Sequence, residues 1–69
     1  MNITKADIKG YRELAIKQMI DDIKYMDNNG VPPEEMWDNM NVKENYSYYA
    51  TEEDKIKAFE ACGFTIEFE

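Results

Sequence analysis

Apolar side chains recur along residues 4 to 28 at the spacing of an α-helix. Stepping about 100° per residue from Ile8 gathers Ile8, Tyr11, Ala15, Ile16, Met19, Ile20, Ile23 and Met26 on one broad arc. Glu13, Lys17, Asp21 and Lys24 fall opposite, and Lys9/Glu13, Glu13/Lys17 and Lys17/Asp21 stand four apart with opposite signs. Arg12 and Asp22 border the apolar arc, while Leu14 and Tyr25 form a narrower second stripe. Thr4 with Asp7 three positions on predicts a capping box, and Asn28-Asn29-Gly30 predicts a left-handed stop. A helix of about 24 residues at about 1.5 Å per residue is roughly 36 Å long, more than a compact domain of this size needs. Part of its apolar surface is therefore expected to face a partner.

The following residues change pattern repeatedly. Pro33 followed by Glu34 and Glu35 predicts the start of a short helix with Met36, Trp37 and Met40 inward, ending near Asn41. The run VKENYSYYA at 42 to 50 is aromatic and β-prone, which predicts a loop and then a strand over Tyr46 to Ala50, with Tyr46 and Tyr48 on one face and Tyr49 on the other. Thr51 with Asp54 predicts a second capping box, opening a helix over 52 to 62 whose inner edge is Ile56, Ala58, Phe59 and Cys62, with Gly63 as its stop. Phe64 to Glu69 alternates apolar and polar residues, the signature of a half-buried strand. These elements predict one α+β domain over residues 1–69: a long N-terminal helix, a short second helix, then strand-helix-strand with a small two- or three-stranded sheet. Met1 to Ile3, or a second copy in a homodimer, would supply the missing strand.

Composition narrows the chemistry. With 69 residues, 43% hydrophobic content and nine aromatics, the chain has the makings of a small core despite being 33% charged. No histidine is present, Ser47 is the single serine, and Cys62 is the single cysteine, on the apolar side of a helix end where a thiolate is disfavoured. An enzyme is not expected, nor a cofactor. Glu34, Glu35 and Asp38 could gather a divalent cation, but an acidic helix start needs the same residues, and no metal is expected. Asp27-Asn28-Asn29-Gly30 fails as a calcium loop because Tyr25 would take the first ligand position. The three glycines are too scattered for a phosphate loop. No apolar leader or membrane-length run is present, so a cytoplasmic protein is expected.

Charge completes the picture. Residues 1 to 30 hold five basic and five acidic side chains, whereas residues 31 to 69 hold three basic and ten acidic ones, so the whole net charge of −7 sits in the second half. No basic patch could neutralise several phosphates, and direct nucleic-acid binding is not expected. Carboxylates interleaved with tyrosines can instead present to a basic cleft what a phosphate backbone presents. The candidate partner-binding residues are Glu34, Glu35, Asp38, Glu44, Tyr46, Tyr48, Tyr49, Glu52, Glu53 and Asp54. They suggest a nucleic-acid mimic of anti-restriction or anti-CRISPR type, blocking the basic site of a nuclease or other nucleic-acid enzyme. The competing expectation is a non-enzymatic interaction module or small dimeric adaptor that binds through an apolar helix face.

Overall fold

The computed structural model describes residues 2–67, which form four helices: α1 Lys5–Asn28, α2 Pro33–Asn39, α3 Val42–Asn45 and α4 Glu52–Ala61. Both capping boxes are present. Thr4 Oγ1 accepts from the Asp7 backbone N–H at 3.2 Å while Asp7 Oδ2 accepts from the Thr4 N–H at 3.1 Å. Thr51 and Asp54 repeat the exchange at 2.9 and 3.3 Å. Each of these long helices ends in a Schellman turn on a glycine with positive φ. Gly30 (φ 77°) and Val31 donate to the carbonyls of Asp27 and Met26, both at 3.1 Å. Gly63 (φ 89°) and Phe64 donate to Glu60 and Phe59, at 3.0 and 3.1 Å.

The core lies where α4 and α2 pack on one side of α1. Met19 and Ile23 of α1, Met36 of α2 and Ala58 of α4 are inaccessible to solvent, with Ala15, Met40, Ala50 and Phe59 nearly so. Trp37 is half-buried and meets Phe59 at 5.4 Å between ring centroids, and Phe59 meets Phe64 edge-on at 5.8 Å. Fully burying a side chain the size of Met or Ile contributes about 1.5–3 kcal/mol, so these few residues dominate cohesion in a chain this short. α1 determines the shape as well, because the molecule measures 43 × 27 × 19 Å and the helix alone spans about 36 Å. Its outer surface is left uncovered, and Leu14 and Tyr25 stand 66% and 72% exposed.

The expected α+β architecture is overturned: among the described residues there is no strand and no sheet, and the fold is all-helical. Local hydrogen bonds explain the loss of the Tyr46–Ala50 strand. The Asn41 carbonyl accepts from Glu44 and Asn45, and the Val42 carbonyl from Tyr46, which curls 42 to 45 into the single turn of α3. Ser47 then closes a tight turn, its carbonyl accepting from the Ala50 N–H at 3.0 Å and its hydroxyl from the Tyr49 N–H at 3.2 Å. The N–H groups of Tyr46, Tyr49 and Ala50 are thereby spent within the segment and cannot serve a ladder.

Residues 64 to 67 keep the burial alternation of a strand, with Phe64 and Ile66 half-buried and Thr65 and Glu67 exposed, but among the described residues there is no strand for them to pair with. Asn2 and Ile3 are exposed and belong to no helix or strand, so these two residues do not supply the expected third strand. Met1, Phe68 and Glu69, the remainder of those two predicted strands, lie outside the described residues.

Candidate functional site

The exposed candidate acids of the second half sit on α2, α3 and α4. Pro33 fixes the first turn of α2 and sets Glu34 and Glu35 at its positive pole, with Asp38 one turn on. Glu44 belongs to α3, and Glu52 and Glu53 to the first turn of α4. All six are exposed, and among the described residues none takes part in an ion pair.

Two shallow depressions organise this surface. Glu44 and Glu52 line the first together with Met40, Val42, Ala50 and Lys55. Glu34 and Asp38 edge the second, beside Trp37, Phe59 and Phe64. Lys55 joins them. Its stem is buried, and its ammonium donates to the Trp37 carbonyl at 2.7 Å while sitting 3.8 Å from the centroid of the Trp37 ring. Burial pushes the Lys55 pKa below the ordinary lysine value, and the fields of Glu52 and Asp38 oppose that shift. One semi-buried cation therefore lies within the field of carboxylates from α2 and α4.

Asp54, grouped in sequence with Glu52 and Glu53, has a different role. It is 1% exposed and accepts from Arg12 Nε and Nη2 of α1 in a fork, each at 2.9 Å. The Arg12 hydrogen bonds hold its carboxyl below the usual range, against the opposing cost of burial. Arg12 is held more firmly protonated by the same contact. Asp54 thus ties α4 to α1 and is turned away from the acidic surface.

The tyrosines divide in the same way. Tyr46 donates its hydroxyl to Asp22 Oδ2 of α1 at 2.7 Å, and burial together with that carboxylate pushes its pKa upward. Tyr49 is half-buried and stacks on Tyr11 of α1, with 5.9 Å between centroids and 19° between planes. Tyr48 is 78% exposed and meets Tyr49 edge-on at 5.8 Å.

The structure thus brings Asp38 and Glu52 to one lysine and Glu44 and Glu52 to one depression. Glu53 sits nearer Arg12, whose charge it reinforces, and Glu35 lines neither depression. Tyr11, Arg12 and Lys55 were not among the sequence candidates. Arg12 carried a weak signal, since a long cation on the border of a core arc reaches either solvent or an anion on a neighbouring element. Lys55 carried none, because its burial depends on where Trp37 lands.

The rest of the inventory is sparse. Cys62 is half-buried and directs its Sγ to the Ile20 carbonyl at 3.8 Å, and burial pushes its thiol pKa up. Among the described residues, no group of three or more carboxylates, cysteines or histidines converges as metal ligands, and no helix is long and apolar enough to cross a membrane. No family model, curated protein or solved structure matches the chain.

Proposed function

We propose that the chain is a non-catalytic inhibitor whose acidic surface occupies the basic nucleic-acid site of a nuclease or other nucleic-acid enzyme, in the manner of anti-restriction and anti-CRISPR proteins. The observation that supports this reading is the set of exposed carboxylates at Glu34, Glu35, Asp38, Glu44, Glu52 and Glu53, carried on α2, α3 and α4 and, among the described residues, none of them in an ion pair. Carboxylates fixed on helices attract a lysine- and arginine-lined cleft without the ordering cost of a flexible acidic tail. Counterions released from both surfaces make such binding tight at low salt and weak at high salt.

The test is retention of a cell lysate on immobilised chain. Nucleic-acid enzymes that elute as salt rises, that are displaced by added DNA or RNA, and that are lost with the Glu34→Gln/Asp38→Asn/Glu52→Gln variant are the expected result. Partners that resist salt and ignore these substitutions would overturn it.

Leu14 and Tyr25 favour a second reading, an adaptor or homodimer that binds through the outer face of α1. Association of that kind would survive high salt and fail on Leu14→Glu or Tyr25→Ala.

A further inference from the structure

We propose that Tyr11, Tyr48 and Tyr49 form an aromatic platform on which an arginine guanidinium of the basic partner stacks. This rests on the acidic-surface reading and specifies which cation the partner brings.

Tyr48 and Tyr49 occupy the two central positions of the turn that Ser47 and Ala50 close at 3.0 Å. Glycine, proline, asparagine, aspartate and serine favour such positions for conformational reasons that tyrosine does not share. The core does not account for Tyr48 either, since it is 78% exposed, and Tyr11 beneath Tyr49 is 50% exposed. The rings are nevertheless ordered by one another. Tyr11 and Tyr49 stack nearly parallel at 5.9 Å, and Tyr48 abuts Tyr49 at 89° and 5.8 Å. The hydrogen bond from the Tyr49 N–H to the Ser47 hydroxyl fixes the turn that carries them.

Electron-rich ring faces held in place on a molecule of net charge −7 suit a cation. The chain's own nearby candidate is already committed, because the Arg12 guanidinium is forked onto Asp54. Among the described residues, the cation that does lie over an aromatic ring is Lys55 on Trp37, and none lies over the tyrosines. A planar guanidinium fits a ring face better than a hydrated ammonium does. Arginines that stack on unpaired bases in nucleic-acid sites are groups of this type, and a tyrosine face offers them the same contact.

The experiment compares oligoarginine and oligolysine peptides of equal length as probes of the full chain, by fluorescence anisotropy at low ionic strength. Wild type, Tyr48→Ala and Tyr48→Phe are measured, with helical content checked by circular dichroism. Wild type is expected to prefer oligoarginine by about two- to five-fold more than Tyr48→Ala does, the range of a surface cation–π contact. Tyr48→Phe, which keeps the ring face, is expected to retain the preference. An arginine preference that is absent in wild type, or that is unchanged in Tyr48→Ala, would overturn the platform while leaving the acidic surface intact. Failure of both peptides to bind at low salt would overturn the platform and the acidic surface together.

Discussion

Replacing Asp54 by Asn removes the charge that fastens α4 to α1 while preserving the side-chain shape. The carboxylate accepts three hydrogen bonds at 2.9 Å, two from Arg12 and one from the Thr51 N–H that completes the capping box. Hydrogen bonds to an ionised group contribute about 1.5–3 kcal/mol each, and breaking a fully buried pair costs about 3–5 kcal/mol. Arg12 is 39% exposed at its side chain and returns to water when released, so solvent screening places the loss from Asp54→Asn lower, at about 2 kcal/mol. A chain of this length has a total stability of about 3–10 kcal/mol, and at about 4–8 °C per kcal/mol the variant should melt some 8–16 °C below wild type.

The pH dependence of this difference has a definite sign. A folded-state pKa depressed below the unfolded value gives a stabilisation that is present above about pH 4 and lost as pH falls through the folded value. The gap between wild type and Asp54→Asn, followed by circular dichroism in urea, should therefore narrow below about pH 4. Asp7, also depressed by its Thr4 contacts, is present in both proteins and cancels from the difference. A variant melting within about 2 °C of wild type at neutral pH, or a gap that persists unchanged in acid, would refute the clamp.

Other consequences are open to direct measurement. Met19→Ala empties the centre of the core, where Met19 is 0% exposed, and should cost about 3 kcal/mol by urea unfolding, against under about 0.5 kcal/mol for Leu14→Ser on the outer face of α1. Cys62, half-buried with its pKa raised by burial, should react with a thiol reagent at neutral pH far more slowly in the native protein than in urea. Equal rates would show the thiolate to be accessible.

The sequence was most legible where one residue fixes one backbone feature. Thr4/Asp7, Thr51/Asp54, Gly30 and Gly63 marked the starts and stops of α1 and α4, and Pro33 marked the start of α2. The spacing of Ala15, Met19 and Ile23 identified the buried face of α1. The sheet was misread because β-propensity reports how well a side chain covers a half-buried surface, and Tyr46 and Tyr49 achieve that by packing on α1 from a turn. Phe64 and Ile66 alternate for the same reason, laid along the core without a partner strand.

In the candidate site, the acidity of the second half was visible as composition, but its division was not. The capping box with Thr51 sets Asp54 apart from Glu52 and Glu53 locally, but its burial and its pairing with Arg12, 42 residues away along the chain, are not visible there.

The proposed role of the carboxylates on α2, α3 and α4 is electrostatic attraction of a basic partner. The most direct test is the salt dependence of the dissociation constant for a captured nucleic-acid enzyme, measured for wild type and for Glu34→Gln/Asp38→Asn/Glu52→Gln. Affinity is expected to fall steeply with the logarithm of salt concentration in wild type, with both affinity and slope reduced in the variant. A dissociation constant indifferent to salt, or identical in the two proteins, would contradict that role.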